Sequence, residues 1–335
     1  MRHINIPLFI PHRGCPNQCV FCNQRTISGV RSYNPASFVS VIEENLSSVA
    51  PEDEVEIAFF GGSFTGIDRE EMVSLLELAY SYVKRGRVKS IRCSTRPDYI
   101  DDEVLDVLQK YGVGTVELGL QSISESVLSL TRRGHDFDAE ERAAKMITER
   151  GLSLVGQMMI GLPGSTLDDE LDTANFIIRA GASAARIYPT VVFHDTELCD
   201  MAKRGDYLPL SLEEAVVRSA RVLRLFVEAG LPVIRIGLHA SENLSSEDTY
   251  FAGPNHPALG ELVESRLYFD LIKDAVKKTG LIGKDVINIE VARGELSKAI
   301  GQKRRNKLLL AQTLSVKEIK FSESDSLSKY GVRVF

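Results

Sequence analysis

Tryptophan is absent from these 335 residues, and cysteine occurs only 5 times. The missing tryptophan excludes little. The few cysteines, with no secretory leader before them, exclude a disulfide scaffold and point to a reducing compartment. Long apolar runs are lacking as well, so no segment has the length of a membrane span. Met1 to Asn5 lead straight into an apolar stretch without the zones of a signal peptide, which gives the expectation of a cytoplasmic protein. Surplus positive charge is missing too. The net charge of −6 disfavours a general grip on nucleic acid and leaves room only for a local basic patch. What is present, 44% hydrophobic and 26% charged residues without low-complexity tracts, supports a sizeable globular core.

Three of the cysteines stand together as Cys15-Pro16-Asn17-Gln18-Cys19-Val20-Phe21-Cys22. A closed zinc site or an electron-carrying cubane cluster takes four protein ligands. A loop of three can hold three irons of a four-iron cluster and leave the fourth open to a small molecule. The competing reading is zinc, with His12 as fourth ligand. No second cysteine pair supports it, because Cys93 and Cys199 stand apart.

A βα rhythm occupies most of the chain. Strand-like segments lie at Ile6 to Ile10, Val55 to Phe60, Ser90 to Arg96, Val116 to Gln121, Ser153 to Ile160 and Ala185 to Val192, with amphipathic helical stretches between them. This alternation predicts a parallel sheet with right-handed crossovers, a partial (β/α)6 barrel whose chemistry gathers at the C-terminal strand ends. The cysteine loop follows the first strand and belongs to that face. Period-two alternation turns Glu117, Gly119 and Gln121 to one side and Leu118 and Leu120 to the other. Arg92, Ser94 and Arg96 share a face opposite Ile91 and Cys93, which makes Cys93 a buried, inert thiol. Polar residues on the inner face of several strands suit a cofactor cavity.

Pro232 to His239 form a plausible further strand with Arg235 and His239 on one face. Residues 240–257 read as a long loop. A helix, a strand, short helices and a β-like end complete a small α/β extension, so the division expected is a barrel core over 1–240 and an extension over 241–335.

Phe59-Phe60-Gly61-Gly62-Ser63-Phe64-Thr65 closes the second strand, and its glycines allow close backbone approach to a ligand or simply make a turn. Gly161-Leu162-Pro163-Gly164 closes the fifth in the same way, with Ser165 and Thr166 placed to cap the next helix. Arg132, Arg133 and His135 read as solvated surface, or as a carboxylate-binding fork if they face the site. The run Lys303-Arg304-Arg305-Asn306-Lys307 reads as a solvated helix face or as a phosphate contact for RNA.

The C-x3-C-x2-C loop, with Phe21 before its last cysteine, resembles that of the radical S-adenosylmethionine (SAM) superfamily. Gly61 to Thr65, Thr95-Arg96-Pro97-Asp98-Tyr99, Glu117 to Ser122, Arg133-Gly134-His135 and Ile187-Tyr188-Pro189-Thr190 follow in order. Together they resemble the radical SAM domain of the Elongator catalytic subunit, over most of the chain to about His239. That resemblance implies a TIM-like radical SAM barrel and a 4Fe–4S cluster on Cys15, Cys19 and Cys22. It implies reductive cleavage of SAM to a 5′-deoxyadenosyl radical, with electrons from a donor such as a flavodoxin or ferredoxin. Expected cofactor-binding residues are Phe21, Gly61, Gly62, Ser63, Glu117, Gln121, Arg133, Gln157 and Gly161. Expected substrate-side residues are Arg96, Arg186, Tyr188, Arg235 and His239.

Neither the family's acetyltransferase domain nor its N-terminal RNA-binding extension is expected in these 335 residues. The expected substrate is a tRNA or RNA base. A small metabolite such as a tetrapyrrole, or a non-catalytic zinc or Fe–S binding module, are the alternatives.

Overall fold

The computed structural model describes residues 2–10, 13–15, 19–24, 26, 34–238 and 249–335. His12 and His239 lie outside them. The chain runs β1 (His3–Ile10), α1 (Phe38–Ser47), β2 (Glu54–Gly61), α2 (Arg69–Lys84), β3 (Ser90–Thr95), α3 (Asp102–Lys110) and β4 (Val113–Gln121). It continues through α4 (Glu125–Leu130), α5 (Phe137–Glu149), β5 (Ser153–Ile160), α6 (Leu167–Arg179), β6 (Ala184–Pro189), β7 (Val192–Phe193), α7 (Glu197–Arg204), α8 (Leu212–Glu228) and β8 (Val233–Ile236). The last part holds β9 (Tyr250–Ala252), α9 (Leu259–Thr279), β10 (Val286–Ala292), α10 (Leu296–Ile300), α11 (Arg305–Thr313), β11 (Glu318–Ser324) and β12 (Val332–Val334).

Seven parallel strands, in the order β1-β2-β3-β4-β5-β6-β8, form a curled half-barrel. The expected six-unit barrel is there, and the further strand anticipated near Arg235 extends it by one. Each strand sends its aliphatic residues outward. Ile6, Leu8 and Ile10 of β1, Ile57 and Phe59 of β2, Val116 and Leu118 of β4, and Ala185 and Ile187 of β6 are all buried in one core beneath the helices. Cys93 lies fully buried in that core, where desolvation pushes its thiol up to about 12. Helix starts follow local chemistry. Asp68, Asp101 and Asp136 accept backbone N–H bonds at the first turns of α2, α3 and α5, and Thr166 and Ser211 close capping boxes on α6 and α8.

Five elements differ from the sequence reading. In the first, the strand read over Ala185 to Val192 ends at Pro189 and leaves Val192–Phe193 as the separate β7. The segment read as a loop over 240–257 contains β9, which pairs antiparallel with β7. Three residues are too few to show an alternation. The short helices α4 and α7 and the terminal β12 also went unread, each being only one or two turns or a few residues long. The basic run is not one solvated helix face. Lys303 and Arg304 take left-handed backbone, Arg305 pairs with Glu213 at 3.2 Å, and the Asn306 amide is buried, donating to the Ser265 carbonyl at 2.7 Å.

The C-terminal β11-β10-β12 sheet has its own apolar cluster, and α9 takes part in both cores. Leu259, Val263 and Leu267 belong to the barrel core, whereas Tyr268, Ile272 and Val276 belong to the smaller one.

Gly156 on β5 faces α6, and a Cβ there would come within 2.7 Å of the Ile177 side chain. Gly156→Val therefore overpacks the strand–helix contact. It is expected to cost about 1–3 kcal/mol, read as a fall in the urea midpoint with unchanged m-value.

Candidate active site

Glycine contacts hold the cysteine loop on the end of β2. The Gly62 N–H donates to the Ile10 carbonyl at 2.8 Å, and the Ser63 N–H donates to the Arg13 carbonyl at 2.9 Å. A Cβ on Gly62 would lie 1.9 Å from the Arg13 carbonyl oxygen, and one on Gly14 would lie 2.0 Å from the Ser63 oxygen. The close approach that the Gly61-Gly62 pair permits is thus made here by the chain's own backbone. Gly61 takes φ +112° against Ile10, and its carbonyl accepts from the Gln24 side chain. Ser63 is fully buried, its hydroxyl bonded to that of Thr95 at 2.8 Å and accepting the Arg96 N–H at 3.1 Å.

The far side of the loop is tied down as well. The Val20 N–H donates to the Thr131 carbonyl at 3.2 Å, and the Leu198 N–H donates to the Val20 carbonyl at 2.8 Å. Val20 and Phe21 pack into a small apolar cluster with Val192, Leu198, Cys199 and Tyr207. Cys199 has a core role there.

Two guanidinium groups meet the middle cysteine. Arg133 Nη1 donates to Cys19 Sγ at 3.3 Å, and Arg96 Nη1 donates to it at 3.8 Å. Arg133 also donates to the Gly119 carbonyl, and among the described residues its buried Nε has no partner. Arg96 is held from behind by both oxygens of Asp98, at 2.9 Å each, by His135 Nδ1 at 3.2 Å and by the Arg133 carbonyl. His135 Nε2 in turn meets Glu140 at 3.1 Å. Burial opposes charge throughout this group. For Asp98 it is outweighed by the His135 and Arg96 hydrogen bonds, which hold the carboxyl well below the usual range. For His135 burial is outweighed by bonds to Asp98 and Glu140, so its pKa rises, while burial carries Glu140 up to about 7. Desolvation raises the Cys15 and Cys22 thiols, the latter to about 12, with the neighbouring thiols adding to it. Sequence reasoning missed Asp98, His135 and Glu140 as a unit, although Asp98 and His135 flank the flagged arginines.

A second polar group crosses the barrel interior. Glu117, 1% exposed, accepts from Arg92 at 2.9 Å and Arg186 at 2.7 Å on one oxygen, and from Gln157 at 2.8 Å on the other. Arg92 continues to Glu56 at 2.7 Å, and Glu56 meets His3 at 2.9 Å. Arg186 donates to the Tyr188 hydroxyl at 3.3 Å and lies over the Phe60 ring at 5.6 Å. Glu117, Gln157, Arg186 and Tyr188 are therefore brought together, apart from the group around Cys19. Gln121 ends β4 in left-handed backbone at φ 71°. Gly161 is enclosed by the chain itself, with its N–H donating to Glu170 at 2.7 Å and its carbonyl accepting from Tyr207 at 2.6 Å.

The donor set fits an iron–sulfur cluster. Three thiols lie on one loop, two arginines face the middle one, and one buried guanidinium N–H beside it lacks an acceptor. That fit is one of donor chemistry, since among the described residues no three His, Cys, Asp or Glu side chains stand grouped to hold a metal ion.

Comparison with known proteins agrees. Residues 182–268 match the Radical_SAM C-terminal domain. The tRNA uridine(34) acetyltransferase of Methanocaldococcus infernus is 29% identical over 194 residues, covering 52% of this chain and 36% of that protein. Protein YhcC of Escherichia coli is 25% identical over 224 residues, 63% of this chain and 71% of that one. This chain thus spans little more than a third of the acetyltransferase's length. Among solved structures, the archaeal Methanocaldococcus infernus Elp3 with an N-terminal deletion shares the fold, at a TM-score of 0.63 and 22% identity. The match covers 83% of this chain and 63% of that one. Residues 9–177, from the end of β1 through the cysteine loop to α6, match the Radical SAM superfamily model, and the chain belongs to that superfamily of enzymes.

Proposed function

We propose that this chain binds a 4Fe–4S cluster through Cys15, Cys19 and Cys22 and cleaves SAM reductively, with a tRNA or RNA base as substrate. The observation that carries this reading is the convergence of Arg133 and Arg96 on Cys19 at the C-terminal end of the barrel. When bound, the cluster supplies a low-potential electron to the SAM sulfonium, yielding methionine and a 5′-deoxyadenosyl radical that removes a hydrogen atom from substrate. An electron-transfer protein such as a flavodoxin or ferredoxin serves as donor.

The chain's own residues do the positioning. Gly14, Gly62 and Ser63 fix the loop against β2, so Cys15 is presented from a rigid strand end. Arg133 and Arg96 place positive charge and N–H donors at the Cys19 sulfur, which stabilises thiolate ligation. Asp98 and His135 keep Arg96 in that orientation. Cys19 is buried and Cys15 and Cys22 are half-buried, which limits the access of water to the loop's thiols. Gln121, at the end of β4, and Gln157 are the SAM ribose or carboxylate contacts in this reading. The RNA reading is supported by the relatives named as tRNA uridine(34) acetyltransferases. Because the chain spans only 36% of such a relative, the modification made here need not be theirs.

Anaerobic reconstitution followed by dithionite and SAM is expected to give 5′-deoxyadenosine and methionine, with Cys19→Ala losing both the products and most of the iron. A full cluster with neither product overturns the reading, and stoichiometric zinc without acid-labile sulfide replaces it with a zinc module. Arg133→Gln is expected to lower the midpoint potential followed by electron paramagnetic resonance, by about 60 mV for the loss of about 1.4 kcal/mol of charge-assisted bonding. Mass spectrometry of tRNA nucleosides from a deletion strain should show one modification lost. An unchanged profile would direct the search to a small metabolite.

A further inference from the structure

We propose that Arg235, with Arg186 and Tyr188, forms a subsite inside the half-barrel for an oxyanion group of the substrate, a phosphate or a carboxylate. The proposal rests on reading this interior as the substrate side of the radical enzyme, and it begins with backbone register. Strands β6 and β8 pair Ala185 with Val233, then Arg186 with Arg235, then Ile187 with Ile236. One extra residue, Ile234, is accommodated on β8 as a bulge. In unbroken register Arg235 would oppose Ile187 and face the helix layer. The bulge turns it to the inner face beside Arg186, a use of bulges that recurs near active sites.

Two guanidiniums at one register position on neighbouring strands, whose backbones lie about 4.8 Å apart, repel each other unless an anion lies between them. The interior carboxylates cannot serve. Both oxygens of Glu117 are occupied by Arg92, Arg186 and Gln157, and Glu56 is held by Arg92, His3 and Ser90. Among the described residues Arg235 has no ion-pair partner. Among the described residues, Arg92, Arg186 and Arg235 thus stand against Glu56 and Glu117, one positive charge in excess. Among the described residues, Arg186 Nε is also buried without an acceptor. A buried donor left unpaired has lost water without gaining a partner, and an oxyanion of the substrate would relieve it. Tyr188, bonded to Arg186 at 3.3 Å, adds a hydroxyl to the same group. Strands β1 and β8 are the two edges of the sheet, so the subsite lies on the edge opposite the one that carries the cysteine loop. A substrate held there by its anionic end reaches across the mouth of the barrel toward that loop.

The test is thermal melting of the full-length, cluster-loaded protein under anaerobic conditions. Chloride is exchanged at fixed ionic strength for inorganic phosphate or, separately, for acetate. At least one oxyanion is expected to raise the wild-type melting temperature by about 2 °C, the size expected for a ligand at about ten times its dissociation constant. Arg235→Gln should lose that rise and, in chloride, melt at or above the wild type because the repulsion is gone. Arg235→Lys should keep part of the rise. A response to phosphate alone marks a phosphorylated substrate, and a response to acetate alone marks a carboxylate. The proposal is overturned if Arg235→Gln melts lower than wild type or fails to fold, if it keeps the full rise, or if neither oxyanion acts on the wild type. Melting does not depend on SAM cleavage. Absence of 5′-deoxyadenosine from the same samples would therefore strike the radical reading and leave the anion result standing.

Discussion

The buried carboxylate of Glu117 is the interaction on which the barrel interior depends. It sits on β4, the central strand of the seven, and takes hydrogen bonds from β3, β5 and β6 at once. A curled sheet with polar groups on its concave face would otherwise leave several charges without partners, and each would carry a large desolvation penalty. Sharing one carboxylate among Arg92, Arg186 and Gln157 fixes the curvature of those strands relative to one another. It also decides which donors remain available: Arg92 uses all three nitrogens on Glu117 and Glu56, whereas Arg186 keeps a buried Nε without an acceptor among the described residues.

A different device fixes the other end of the site. The cysteine loop has few apolar residues to bury, so its position is set by main-chain contact. Gly14 and Gly62 let two backbone segments approach at distances no side chain would permit. Val20 and Phe21 then anchor the return of the loop to the β7–α7 region. Of the arginines that meet Cys19, Arg96 follows the end of β3 and is held by Asp98 and His135, whereas Arg133 comes from the turn between α4 and α5. Rigid strands supply precision, and the loop supplies only the thiols.

Much of this was legible in the amino-acid order. The alternation Glu117-Leu118-Gly119-Leu120-Gln121 gave both faces of β4 directly, because one face must be aliphatic to meet the helices. The spacing of Cys15, Cys19 and Cys22 marked the loop and its place after the first strand. What escaped depended on contacts remote in sequence. Gly62 reads equally as a ligand cradle or a turn until Arg13 is seen against it. Arg235 was assigned to a face by simple alternation, yet a bulge decides that face, and nothing in Val233-Ile234-Arg235-Ile236 announces one. Asp98, His135 and Glu140 lie on separate elements, and only the fold brings His135 between the two carboxylates.

The long helix α9 is shared by two cores, with Leu259, Val263 and Leu267 facing the barrel and Tyr268, Ile272 and Val276 facing the small sheet. A cut anywhere between them leaves one half of an apolar helix face exposed. Arg224 of α8 reinforces the joint through Asp274 at 2.7 Å. The C-terminal sheet and the barrel therefore share a single rod, and strain applied to one is passed to the β8 edge of the other. Neither unit can be displaced alone without breaking apolar packing along that shared helix.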